Sequence, residues 1–355
     1  MKNKYIFTSI IVGLIFLLTA CSTNGNQLDT DNKDIVDKNE RPVINVESID
    51  SYENIEITDW LDDETVLLSM ENDSLNKMKL AELSEKYPRS LYFYNINTKE
   101  YKLISEAENL FLGGATLSEN KESILYYKVE IGDPAYFVMN INNHIGFGIQ
   151  GENIGGATSA IWSDNDVIGT TYNNSVFLAS TDGDIEILDD LEKDIFLIRK
   201  VKDVIYYNTL TDQSLISMNL NSKEKIGTSL TNVTDVIPSP KGNELIINQN
   251  DGSNSRLLLS DLLGKDTSVI DEGSELGGIS WSKDGDLISY YKLDALSGNE
   301  SSGIYVFDTI SKKTFQILPD VKYSTTSWSP SGNKLAVAEL IEGNYYSRIL
   351  YLKNE

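Results

Sequence analysis

The chain has 355 residues, a formal net charge of −24, one cysteine and one histidine. So negative a molecule is repelled by nucleic acid and by anionic head groups, which excludes DNA, RNA and electrostatic membrane binding. A lone cysteine permits no intrachain disulfide and no cysteine-built metal site. A cationic ligand, a basic protein partner or plain solubility remain as reasons for the acid excess.

The N-terminus reads "MKNKYIFTSIIVGLIFLLTACS". Its two lysines precede an apolar run shorter than the ~20 residues a spanning helix needs, and small residues then lead to Cys21. A basic start, a short apolar core and a small-residue cleavage site describe an export signal over 1–20. The stretch "LTAC" (18–21) resembles the lipobox of bacterial lipoproteins. That resemblance implies a lipidated Cys21 as the new N-terminus, hence a membrane anchor on the extracytoplasmic face. Residues 21–42 are polar and charged, with almost nothing apolar to bury, and are expected to form a disordered acidic tether. The remainder, 43–355, is long enough for one large repeat fold or two ordinary domains.

A repeat settles that choice in favour of one fold. Seven segments share a turn followed by an apolar run, among them "IWSDNDVIGTTY" (161–172), "SWSKDGDLISYY" (280–291) and "SWSPSGNKLAVA" (327–338). All four tryptophans, Trp60, Trp162, Trp281 and Trp328, occupy one aligned position; Leu117, Arg199 and Pro238 fill it elsewhere. The spacings are 57, 45, 37, 39, 43 and 47 residues, mostly those of a four-stranded propeller blade. Each segment divides into four short β-branched and aromatic runs separated by polar turns. Only "SLNKMKLAELSEKY" (74–87) carries a helical pattern, as an insertion between the second and third strands of the first segment.

"SWSPSGNKLAVA" and "SWSKDGDLISYY" resemble the WD40-like (PD40) repeats of TolB-type β-propellers, with a fainter likeness to YqgU-like propeller lipoproteins. The resemblance implies an all-β propeller of four-stranded blades, seven in number, with six as the alternative. The last segment lacks an outer strand, and "PVINVESID" (42–50) is expected to supply it and close the ring. The aligned tryptophans then read as structural wedges between blades rather than as ligand platforms.

Chemistry is sparse. A triad needs an imidazole beside a nucleophile, and no G-x-S-x-G elbow occurs. His144, in "NINNHIGFGI", reads as a surface turn residue. "STDGDIE" (180–186), "SDNDV" (163–167) and "KDGD" (283–286) offer oxygen ligands without EF-hand spacing, so no metal site and no cofactor are expected. One feature stands out. Gly113, Gly114 and Thr116, Gly155, Gly156 and Thr158, and Gly277, Gly278 and Ser280 put paired glycines and a hydroxyl residue at the start of three inner strands. There they would border the channel and admit a ligand to backbone amides, or merely relieve crowding.

Two function classes follow. The preferred one is a non-catalytic, monomeric binding or scaffold lipoprotein of the cell envelope, using a propeller face for a protein or glycan partner. The alternative is a carbohydrate- or peptide-acting enzyme using carboxylates at the central channel.

Overall fold

The computed structural model describes residues 44–354 apart from 152–154, 296–299 and 322. The expected signal, the tether and Cys21 lie outside the described residues. Among the described residues there are 28 strands. β1 (Ile44–Glu53) is followed by a first group of four, β2 (Ile55–Trp60), β3 (Thr65–Glu71), β4 (Arg89–Asn95) and β5 (Tyr101–Ser105). The second group is β6 (Phe111–Leu117), β7 (Ser123–Val129), β8 (Ala135–Asn140) and β9 (Gly146–Gly148). The third is β10 (Ala157–Ser163), β11 (Asp166–Thr171), β12 (Val176–Ala179) and β13 (Ile185–Ile187). The fourth is β14 (Ile195–Val201), β15 (Val204–Thr209), β16 (Ile216–Asn219) and β17 (Lys225–Gly227). The fifth is β18 (Val233–Pro238), β19 (Glu244–Asn250), β20 (Ser255–Asp261) and β21 (Thr267–Gly273). The sixth is β22 (Glu275–Trp281), β23 (Leu287–Asp294), β24 (Ser301–Asp308) and β25 (Thr314–Pro319). The last comprises β26 (Ser324–Trp328), β27 (Lys334–Ile341) and β28 (Asn344–Asn354), completed by β1.

Within each group the strands pair antiparallel in chain order. The first two groups are also joined by one parallel bridge, Arg89 to Phe111. β1 pairs with β28 from Ile44 opposite Asn354 to Glu53 opposite Tyr346. The N-terminal strand thus supplies the outer edge that the last group lacks, as its alternating pattern suggested. A single left-handed residue, Asn54 (φ 59°), then turns the chain into β2.

Alternation along the strands buries one side chain set against each neighbouring group, and the core is accordingly divided among the interfaces. Leu67 and Phe93 meet Leu112 and Ile124 between the first and second groups. Tyr206 and Val201 meet Val236 and Leu245 between the fourth and fifth. The last interface brings Trp60 and Val66 against Ala336 and Ile349, so the final group packs on the first.

The turn after the inner strand carries one residue with positive φ in every group but the first, the property that makes glycine cheap there. Gly242, Gly285 and Gly332 fill it in the fifth to seventh groups, while Lys121, Asp164 and Lys202 do so in the second to fourth. The segment 74–87 is not a helix. Only Ala81–Leu83 forms a 3-10 turn. The Asn72 amide bonds the Pro88 carbonyl at 2.8 Å and the Met78 amide bonds Lys86 at 3.0 Å, folding the insertion back on itself. Its ends must re-enter adjacent strands, and a helix this short has little stability of its own.

Candidate functional site

The strand order gives the molecule two faces. Inner strands begin, and second strands end, at what is designated here the upper face. There the start of β2, the start of β4, the end of β7 and the start of β28 converge. They enclose a cavity of ≈ 240 Å³ whose lining includes Glu56, Arg89, Phe111, Gly113, Tyr127 and Tyr345.

Arg89 is fixed by three donations: Nε to Ser69 Oγ at 3.1 Å, Nη1 to Asn54 O at 3.2 Å, and Nη2 to Ser69 O. Its guanidinium lies over the Tyr345 ring, 4.7 Å from the centroid, a favourable cation–π placement. Glu56 stands beside the Gly114 amide and the Tyr345 hydroxyl. Tyr127 and Tyr345 are neighbours next to the carboxylate. The Glu56 Oε2 atom is sealed from solvent and has no partner among the described residues. Burial lifts the Glu56 carboxyl above its ordinary pKa, while the Arg89 charge pulls it back. Burial also raises Tyr127 and Tyr345 and lowers Arg89.

The three glycine pairs lie in three separate groups. Gly113 lines the cavity, and a Cβ there would stand 2.6 Å from Tyr127 Oη and 3.2 Å from Glu56 Oε2. Gly114 (φ 56°) and Gly278 (φ 57°) both sit at a register shift in their inner strand. A Cβ on Gly114 would stand 2.5 Å from Tyr127 Cε1, and one on Gly278 would strike the Ser324 carbonyl oxygen. Gly277 faces open space, and Gly155 and Gly156 lie near Tyr172. Among the hydroxyl residues, Ser280 joins Ser289 and Thr326 in a triangle with edges of 2.7 to 2.9 Å. Thr158 meets Thr170 at 2.8 Å, and the Thr116 carbonyl accepts from the Trp162 indole at 3.0 Å. The pairs are therefore not gathered into one pocket.

Trp60, Trp281 and Trp328 are buried between their own group and the preceding one, and Trp162 is half-buried in the same position. His144 is exposed at positive φ (57°) in the turn before β9. In the third oxygen-rich stretch Asp284 serves its turn, with Oδ1 accepting from Ser282 Oγ at 2.6 Å and from the Asp286 amide at 3.1 Å, and in the second Asp164 lies 3.8 Å from Lys200 Nζ. No group of three or more His, Cys, Asp or Glu converges among the described residues. A wider depression of ≈ 600 Å³ beside Leu61, Phe93, Tyr101 and Lys102 lies at the lower rim, and its lining includes no buried ionisable side chain.

No family model matches the sequence, nor does any curated relative. Among solved structures, the chain is similar to an oligogalacturonate lyase in complex with manganese. The TM-score is 0.62 at 10% identity, covering 88% of this chain and 98% of that one. The WD40 β-propeller domain of Doa1 aligns with TM-score 0.58 at 12% identity over 88% of this chain and 98% of its own. The fold is a β-propeller. TolB from Acinetobacter baumannii aligns with TM-score 0.50 at 12% identity over 82% of this chain, although only 65% of TolB is spanned. Likenesses this remote speak for the propeller and its four-stranded blades, and function must be argued from the surface itself.

Proposed function

We propose that this protein is a non-catalytic binding or scaffold lipoprotein of the bacterial cell envelope. In this reading a monomeric seven-bladed propeller, tethered through Cys21, docks a basic protein partner on its upper face. The observation that carries it is the set of exposed apolar side chains at the upper-face turns. Ile131 (69% exposed), Tyr172 and Leu210 follow the second strands of three consecutive groups, and Tyr323 and Leu340 belong to the last group. Contiguous exposed apolar surface marks interaction sites, and this reading takes these upper-face side chains to contribute to one. Around them the turns carry acids, including Glu108, Glu130, Asp133, Asp212, Asp251 and Glu342, whereas the lower-face turns interleave lysines such as Lys202, Lys241 and Lys283. Such a surface complements a partner with basic and apolar side chains.

The test is capture from detergent-solubilised membranes with the full chain as bait. Ile131→Asp with Tyr172→Asp should abolish recovery of the partner. Ile145→Asp with Leu263→Asp, exposed on the lower face, should leave it unchanged. Equal recovery with both pairs would overturn the docking face. The second reading, a carboxylate-dependent enzyme, is favoured by the sealed Glu56 carboxyl in its cavity. It predicts turnover of an oligosaccharide or peptide that disappears in Glu56→Gln.

A further inference from the structure

The lower face has a surface of its own. In two neighbouring groups the turn before the outer strand sets an exposed apolar side chain beside lysine, Leu263 with Lys265 and Ile310 (49% exposed) with Lys312 and Lys313. The second group puts Ile145, 71% exposed, next to His144 in the same turn. In the first, Lys99 precedes the exposed Tyr101. The third and fourth groups depart from the pattern, the third with Asp182 and Asp184 and the fourth with Lys223 engaged by Asp190 at 2.9 Å. All these turns close the same end of the ring. Apolar side chains interleaved with cations suit a lipid interface, where the apolar groups enter the head-group boundary and the long amines reach phosphate.

The course of the chain and the distribution of charge favour that occupant. β1 begins at Ile44, opposite Asn354, so the chain enters the fold on the lower face. Residues 22–43 separate that point from Cys21, the expected anchor. The net charge of −24 keeps a free body from gathering on anionic head groups. It does not decide which face an anchored body turns toward them. The upper-face turns carry acids such as Glu108, Asp133, Asp251 and Glu342, whereas the lower-face turns mix acids with Lys202, Lys241 and Lys283. An anionic leaflet therefore repels the upper face more strongly than the lower. We infer that the lower face lies against the bilayer, with Ile145, Leu263 and Ile310 in the head-group boundary and Lys265, Lys312 and Lys313 on lipid phosphates. The inference rests on the lipid-anchored reading and leaves the upper face turned away from the membrane.

The experiment reconstitutes the full chain in vesicles of phosphatidylglycerol and phosphatidylcholine, with fluorophores placed singly through Ile145→Cys, Ile310→Cys or Leu210→Cys. Spin-labelled lipid should quench the labels at 145 and 310 and spare the upper-face label at 210. Lys312→Glu with Lys313→Glu should weaken quenching of the Ile145 label, and added salt should narrow that difference. Flotation with the vesicles reads the anchor separately. The same labels are also measured on the chain with a histidine tag in place of residues 1–21, held by nickel-chelating lipid. Loss of flotation by the native chain, with quenching kept by the tagged one, would overturn the anchor and support the face. Quenching of the label at 210 equal to that at 145 and 310, or quenching unaffected by the charge reversal, would overturn the inference. So would a blue shift of the lower-face labels that needs no vesicles and grows with protein concentration, which would assign this face to a second copy of the chain.

Discussion

Trp60 donates its indole Nε1–H to the carbonyl oxygen of Ser327 at 3.0 Å, joining the first blade to the last across 267 positions of sequence. The same bond recurs from Trp162 to Thr116 at 3.0 Å and from Trp281 to Ile237 at 3.2 Å. In each case the acceptor immediately precedes the aligned position of the previous blade. Trp328 is the exception, with its buried Nε1 unpartnered among the described residues. Replacing Trp60, Trp281 or Trp328 with Ala should cost ~3–5 kcal/mol, the range for large core aromatics. Phe in their place separates packing from hydrogen bonding. Trp60→Phe should cost about 1 kcal/mol more than Trp328→Phe, because only Trp60 loses a bond. Denaturant midpoints at constant m-value measure both, and equal costs for the two Phe variants would contradict the bonding pattern.

The second closure is the β1–β28 pairing. The Ile57 amide donates to Ser347 Oγ at 2.9 Å, and that hydroxyl donates onward to the Ile55 carbonyl at 2.8 Å, so β28 is also tied to the first blade. Deleting 22–41 should leave stability unchanged. Deleting 22–52 strips β1 from β28 and exposes an unpaired edge, which should lower the melting temperature and promote aggregation. Identical melting curves for the two truncations would count against closure by β1.

Blade architecture was legible because Trp60, Trp162, Trp281 and Trp328 mark one wedge position, and because the turn after the inner strand repeats with them. The weaker segments hid the same turn behind Lys121, Asp164 and Lys202, which adopt positive φ where glycine was sought. A second repeat passed unread. Asn95, Asn140, Asn219 and Asp308 each cap the turn before the outer strand by accepting two backbone amides. Four residues later stand Lys99, His144, Lys223 and Lys312, all at positive φ. His144 is thus a turn residue with three lysine counterparts. The helical spacing in 74–87 misled because local pattern cannot register that both ends must return to neighbouring strands. The cavity was invisible for a related reason. Glu56, Arg89, Tyr127 and Tyr345 lie in three blades and share no spacing. Gly113 and Gly114 pointed to it, Gly113 through its cross-strand partner Tyr127 and Gly114 through the same ring.

The glycine pairs separate into residues that are required and residues that are not. Gly278 combines positive φ with a collision between any Cβ and the Ser324 carbonyl, whereas Gly277 has nothing within reach. Gly278→Ala should destabilise by more than the ~1–3 kcal/mol of a strained backbone position alone. Gly277→Ala should stay within about 1 kcal/mol. Urea unfolding of the two variants ranks them, and the reverse order would mean that the inner strand accommodates side chains at the bulge.

Lipidation at Cys21 is expected from "LTAC". Cys21→Ser should release the protein from membranes or leave its signal uncleaved, and intact-mass analysis reads both. A membrane-bound native chain of unmodified, uncleaved mass would exclude the anchor.

Glu56 provides a pH test whose sign follows from burial. Its folded pKa lies above the ordinary value of 4.5, with burial as the leading cause. The native state therefore holds the Glu56 proton more tightly than the unfolded chain does. Stability from this group is fully present below about pH 4.5 and is lost as pH rises through the folded pKa. Glu56→Gln keeps the size of the side chain and cannot titrate. The stability of the wild type minus that of Glu56→Gln should therefore fall as pH rises from 4.5 toward neutrality, whatever constant offset the lost Arg89 interaction adds. Arg89→Met removes the charge that opposes burial, so in that background the decline should extend to higher pH. Urea unfolding across the pH series, with and without Arg89→Met, supplies the comparison. A difference that rises with pH would show that Arg89 outweighs burial and that Glu56 is held as a stable carboxylate.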